Sequence, residues 1–186
     1  MFDFSIGGKW LEVLKELAPD VKRVGIVYRP QSAPFAEQYV QAIATVAESF
    51  KVKSVATPAR DLAELETNIA TFAAQPQGGL IVIPDAFTAV QREPITALAT
   101  RQKLPTVYPF RYFSALGGLV SYGMDPIEVF QRTASYVDRI LRGAKPGELP
   151  VQKPTRLELV INLKAARTLG LEVPPALVAR ADEVIR

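Results

Sequence analysis

The sequence predicts an α/β domain, a parallel sheet with helices on both faces, and three observations predict it. Short apolar runs occur at Val24 to Tyr28, Gly79 to Ile83 and Thr106 to Tyr108. A strand reads as such a run when helices cover both faces of its sheet and leave it no solvent side. Each run is closed by a proline, at Pro30, Pro84 and Pro109, because proline cannot donate a ladder hydrogen bond. Between the runs lie segments of helical spacing with short connections, which argues for parallel strands joined by right-handed crossovers.

The elements follow in order. Trp10, Leu11, Val13, Leu14 and Leu17 mark a helix over Trp10 to Leu17, ended by Pro19-Asp20 before the strand Val24 to Tyr28. After the turn Pro30 to Pro34, a helix from about Phe35 to Phe50 carries Phe35, Tyr39, Ile43 and Val46 on one face, with Ser32 and Ala33 near its start. Lys51 to Ala56 alternates as a strand. Asp61 is positioned to cap a helix over Asp61 to Ala74, whose apolar face is Leu62, Leu65, Ile69 and Phe72. The turn Gln75 to Gly79 leads to the strand Leu80 to Ile83. Thr88 to Lys103 reads as one helix with Pro94 in its first turns or at a kink. A strand at Pro105 to Tyr108 and a short helix at Arg111 to Leu116 complete the alternating part.

Gly117-Gly118 breaks the pattern before a strand, Leu119 to Tyr122, and a long helix, Pro126 to Arg142, with Ile127, Phe130, Val137, Ile140 and Leu141 at helical intervals. Pro126 suits its first turn and Gly143 its end. Gly143 to Pro154, rich in Pro, Gly and Lys, is a connector. Leu157 to Ile161 is a last strand, and Leu163 to Leu169 a short helix closed by Gly170.

Composition excludes several functions. At 186 residues the chain suits one domain or a domain plus an appendage, and buries about 70% of its unfolded surface. Its 22 basic and 19 acidic residues give a net charge of +3, and the longest basic run is Lys22-Arg23, so no nucleic-acid stripe is expected, the Lys145 to Lys153 segment included. There is no cysteine and no histidine. Disulfides, thiolate metal sites, Ser-His-Asp and Cys-His nucleophiles and the usual zinc sites are therefore excluded, and no metal or cofactor is expected. The start, Met1-Phe2-Asp3-Phe4-Ser5, lacks the features of a secretory signal, and no stretch reaches the ~18 apolar residues of a membrane span. The chain as given is expected to carry no export address.

Several segments carry a family likeness. Gly7-Gly8-Lys9-Trp10-Leu11, Gly79-Leu80-Ile81-Val82-Ile83-Pro84-Asp85, Tyr108-Pro109-Phe110-Arg111, Gly117-Gly118-Leu119-Val120-Ser121-Tyr122-Gly123 and Leu157-Glu158-Leu159-Val160-Ile161-Asn162-Leu163-Lys164 resemble the substrate-binding proteins of ABC-type importers. The resembling group is the one whose better-known members bind tryptophan or tyrosine. The likeness runs through nearly the whole chain, and Leu157 to Lys164 is its most specific part.

The resemblance implies a periplasmic binding protein, two α/β lobes closing on a small ligand, with an ABC permease as partner and a periplasmic location. On that template residues 1–116 and 149–186 form the second lobe, and 117–148 is a protruding strand-helix segment and connector of a first lobe that is mostly lacking. Gly7-Gly8 and Gly117-Gly118, which lack phosphate-loop context, then read as bends at lobe crossings. The helix 126–142 keeps an apolar face without a partner, and a homo-oligomer through that helix is expected.

In an open α/β sheet, ligands bind where loops leave the carboxyl ends of the strands. The candidate ligand-binding residues are Tyr28, Arg29, Gln31 and Ser32 after the first strand, and Asp85, Phe87 and Thr88 after the third. Tyr108, Phe110 and Arg111 follow the fourth, and Ser121 and Tyr122 lie at the next crossing. Asp85 is weighed as counter-charge for an ammonium against a helix N-cap, and Arg111 as a bidentate carboxylate partner against a surface ion pair. Tyr108 and Phe110 are candidates to stack on a flat ligand, one of them belonging to the core. Trp10 reads as packing.

The expected function is solute binding for an importer, without catalysis, of a small molecule such as an amino acid or an aromatic or carboxylate compound. The alternative is a ligand-sensing or oligomerising domain on the same scaffold. An α/β enzyme ranks last, for want of His, Cys and a nucleotide motif.

Overall fold

Helices and strands alternate as the apolar pattern requires. The computed structural model describes residues 4–152 and 156–186. In chain order they form α1 (Ile6–Leu17), β1 (Arg23–Tyr28), α2 (Ala36–Ala47), β2 (Lys53–Pro58), α3 (Leu62–Ala73), β3 (Gly78–Val82), α4 (Ala86–Val90), α5 (Arg92–Arg101) and β4 (Thr106–Tyr108). Then come α6 (Arg111–Ala115), β5 (Val120–Met124), α7 (Pro126–Leu141), a 3-10 turn (Pro146–Glu148), β6 (Leu157–Asn162), α8 (Leu163–Thr168), α9 (Pro175–Arg180) and β7 (Glu183–Ile185).

Among the described residues the strands make one seven-stranded sheet in the order β2-β1-β3-β4-β5-β6-β7. Neighbours are parallel except β5 and β6, which run antiparallel with Val120 opposite Ile161 and Gly123 opposite Glu158. Successive residues of a strand point to opposite faces, so Ile26 belongs to one apolar cluster and Val27 to the other. The first cluster joins Trp10, Leu14 and Ile43 to Val24, Ile26, Ile81, Val107 and Ile161; the second joins Leu65, Ile69, Ile95 and Phe113 to Val27, Leu80, Val82 and Tyr108. Each aliphatic side chain fully buried this way contributes about 1.5–3 kcal/mol. Two clusters on two faces are why the central strands read as unbroken apolar runs.

Local chemistry sets the boundaries. The Asp61 carboxylate accepts from the Glu64 amide at 2.9 Å and caps α3. Asp125 accepts from the Ile127 amide at 2.8 Å with Pro126 behind it, and Asn162 accepts from the Ala165 amide at 2.9 Å. Gly117 and Gly143, at φ +97° and +101°, take the left-handed turns that end α6 and α7.

The structure differs from the sequence expectation at several points. Gly7-Gly8 is no bend: both residues lie in the first turn of α1, where a Cβ on Gly7 would meet Ile43 Cγ1 at 3.0 Å. These glycines let α1 approach α2. The single helix expected over Thr88 to Lys103 is two, broken at Gln91, with Pro94 in the first turn of α5 where its missing N–H costs nothing. The strand expected at Lys51 to Ala56 is shifted to Lys53–Pro58 because Lys51, at φ +54°, closes the preceding turn. The sheet is not wholly parallel, and α9 and β7 were not anticipated. The helix expected at Pro126 to Arg142 forms as α7 and buries none of its residues. Lys153 and Pro154, at the end of the expected connector, lie outside the described residues.

Candidate functional site

The strand register brings the carboxyl ends of β1, β3, β4 and β5 to one edge of the sheet. Val27 lies beside Val82, Ile81 beside Val107, Tyr108 beside Ser121, and Gly123 beside Glu158 at the start of β6. The loops beginning at Arg29, Ile83, Pro109 and Asp125 therefore share that edge.

One cluster there is organised by Asp85. It caps α4, taking the Thr88 amide on Oδ1 at 2.8 Å, while Thr88 Oγ1 accepts from the Asp85 amide at 3.2 Å. The same Oδ1 lies 3.3 Å from the Ser32 hydroxyl, and Oδ2 accepts from the Arg29 amide at 3.2 Å. One carboxylate thus ties the loop after β1 to the loop after β3. The Arg29 guanidinium lies over the Phe87 ring, 5.7 Å from its centre. Gln31 is exposed on the outer side of this loop. Behind it, the Tyr28 hydroxyl donates to Glu37 at 3.0 Å, and burial, aided by that carboxylate, pushes the phenol up to about 12.

A second cluster surrounds Arg111. It lies in the first turn of α6, between Glu183 on β7, with which it forms a close ion pair, and Glu158 on β6 at 3.6 Å. The hydrogen bond to Glu183 and the charge of both glutamates hold the guanidinium above its ordinary value. Glu158 nevertheless sits above its ordinary value. Burial raises it, and Asp125, Glu183 and Asp182 reinforce burial against the pull of Arg111. Phe110 and Tyr112 stack at 5.3 Å beside this pair and remain partly exposed.

The remaining candidates lie beneath the edge. Tyr108 is buried against Phe113, ring centres 4.8 Å apart, and burial raises its phenol. Thr88 and Ser121 are buried as well. These three present no surface in this conformation, so the exposed edge is made by Arg29, Gln31, Ser32, Phe110, Arg111 and Tyr122. The Tyr122 backbone carbonyl accepts from Trp10 Nε1 at 2.6 Å, so the buried Trp10 holds α1 against β5.

Sequence reasoning missed Glu37, Glu183 and the role of Gly123, whose added Cβ would fall 2.0 Å from the Pro109 carbonyl oxygen. Gly123 and Glu158 carried a signal, inside the Gly117 to Gly123 and Leu157 to Lys164 segments. Two grooves lie elsewhere. One of about 460 Å³ runs between α7 and residues 146–152, and one of about 530 Å³ between α8 and α9. No helix among the described residues is long and apolar enough to cross a membrane.

The chain is similar to known proteins over nearly its full length. The model of the family described as ABC transporter substrate binding protein matches residues 3–185. Among solved structures, a conserved domain protein from Vibrio cholerae O1 biovar El Tor is 30% identical with a TM-score of 0.84, over 96% of this chain and 60% of that one. An ABC domain from Streptococcus pneumoniae in complex with L-Trp is 23% identical with a TM-score of 0.85, over 96% and 60%. The ligand-free, open form of a substrate binding protein with adhesive properties from Clostridium difficile is 22% identical with a TM-score of 0.69, over 95% and 59%. The last two share the fold. This chain spans about 60% of the length of the first two of these structures. No curated protein matches it.

Proposed function

Since the chain belongs to the ABC transporter substrate binding protein family, we propose that it is the solute-binding component of an ABC-type importer. It takes a small molecule, such as an amino acid or an aromatic or carboxylate compound, and performs no catalysis on it. The observation that carries this reading is the shared edge at which the loops after β1, β3, β4 and β5 meet. Parallel α/β sheets take their ligands at such an edge. There it offers aromatic surface at Phe110 and a few fixed polar groups, which is what a closing binding cleft needs.

In this reading residues 1–116 and 149–186 form one lobe and 117–148 reaches toward another. That none of the residues of α7 is fully buried supports that division. The partners are the solute and an ABC permease, the compartment is the periplasm, and copies of the chain associate through the uncovered face of α7.

The test is a thermal-shift panel of amino acids, aromatic acids and small carboxylates at millimolar concentration, with calorimetry on every responder. A ligand at ~100 times its dissociation constant adds about 2.7 kcal/mol, several degrees in midpoint. A saturable shift from one chemical class is the expected result, and a flat panel overturns the reading.

A further inference from the structure

We infer that Arg29 is the anion anchor of this edge, and that the ligand carries a carboxylate there with its flat portion directed toward Phe110. This rests on the binding reading above and adds to it the charge of the ligand and the residue that meets it.

Of the three charged candidates in the loops after β1, β3 and β4, two are already engaged. The Asp85 oxygens face the amides of Thr88 and Arg29 and the hydroxyl of Ser32. Their capacity serves the two loops, leaving little for a ligand ammonium. Arg111 is held between Glu158 and Glu183. To take a ligand carboxylate it would first have to give up one of the chain's own.

Arg29 is different. Among the described residues its guanidinium makes no ion pair and no hydrogen bond, and its Nε is shielded from solvent without an acceptor. Folded chains seldom keep a donor such as this Nε covered and unpaired, and the two terminal nitrogens of the half-exposed side chain are open to an acceptor. The Phe87 ring covers one face of the guanidinium and limits its swing, which leaves the planar fork to a bidentate acceptor.

The base of the side chain is fixed too. The Arg29 amide is held by Asp85, and its carbonyl accepts from the Ala33 amide at 2.9 Å. Asp85 therefore acts as a positioning residue for Arg29. From the end of β1 across β3 to the end of β4 is two strand spacings, about 10 Å. That span matches a small aromatic acid with its carboxylate on Arg29 and its ring against Phe110.

Three probes on the full chain test this by calorimetry and thermal shift: indole-3-propionate, tryptamine and L-tryptophan. The two carboxylates are expected to bind and tryptamine not. Arg29→Gln is expected to weaken indole-3-propionate tenfold to a hundredfold without moving the midpoint of the unliganded chain, and Arg29→Lys to restore part of the loss. Equal affinity of Arg29→Gln for indole-3-propionate overturns the assignment while solute binding stands. Tryptamine binding as tightly as the acid does the same. No response to any of the three also overturns it, and the wider panel then decides separately whether the chain binds solute.

Discussion

Trp10 Nε1 donates to the Tyr122 carbonyl at 2.6 Å, across 112 positions of sequence. The bond joins the first helix to the strand from which the chain leaves the sheet for α7. The indole is buried against Tyr39, ring centres 5.2 Å apart, so its one polar atom has its partner on β5. A buried aromatic with a satisfied N–H contributes its apolar area and also fixes where β5 lies.

Trp10→Phe keeps most of that area and leaves the Tyr122 carbonyl without its donor. The expected loss is about 2 kcal/mol, the cost of an unpaired buried acceptor plus a small cavity. Trp10→Ala is expected to lose about 3–5 kcal/mol. Urea unfolding followed by circular dichroism measures both. A loss below ~0.5 kcal/mol for Trp10→Phe would show that the bond adds nothing.

Gly123 faces the Pro109 carbonyl so closely that a Cβ would fall 2.0 Å from its oxygen. Backbone on both sides must then move apart, so Gly123→Ala is expected to cost about 3 kcal/mol and to displace the loop carrying Phe110 and Arg111. Gly117→Ala is the comparison. Nothing lies within 4 Å of its Cβ, and only the φ of +97° opposes it, a strain of about 1–2 kcal/mol. Equal losses for the two variants, read from denaturation midpoints, would refute the close approach.

Glu158 sets a pH dependence. Its folded carboxyl binds a proton more tightly than the ordinary value, through burial first and then three neighbouring carboxylates. The group's contribution is fully present below the unfolded pKa of about 4.3, and is lost as pH rises through the raised folded value. Glu158→Gln cannot ionise, so it is expected to flatten stability against pH just above that range and to gain under ~1 kcal/mol at pH 7. Urea midpoints between pH 4 and 7 measure the slope. A variant profile parallel to the parent would assign the slope to other carboxylates.

Much of the fold was legible because its signals are local. Val24 to Tyr28 and Leu80 to Ile83 are buried on two faces, so their composition names them as strands without help from distant residues. Asp61 and Pro126 announce the helices they begin. The antiparallel pairing of β5 with β6 was not legible, because it follows a departure through α7 and a connector, and no pattern within Leu157 to Ile161 says which neighbour it will take. Gly7-Gly8 misled for a related reason: glycine signals a bend locally, whereas here the missing side chains serve contact with Ile43. That the loops after β1, β3 and β4 gather at one edge of the sheet was legible. Which charges are free was not, since Arg111 is occupied by Glu183, 72 positions away.

The uncovered face of α7 has a spacing that decides how it can be partnered. Ile127, Phe130, Ala134, Val137 and Leu141 recur at intervals of three and four, the seam of a helix that packs against another helix. Phe130 and Leu141 are 74% and 82% exposed, while Tyr136 and Ile140 on the neighbouring face line the groove against residues 146–152. At 16 residues the helix is about 24 Å long, enough for three turns of contact between two copies. Each large side chain removed from water contributes about 1.5–3 kcal/mol, set against about 4–15 kcal/mol for immobilising two chains. Association in the micromolar range is the expected outcome. Light scattering across a concentration series should show a dimer for the parent chain, and Phe130→Glu with Val137→Glu should return it to monomer with an unchanged thermal midpoint. A parent chain that stays monomeric at tens of micromolar would remove self-association through this helix.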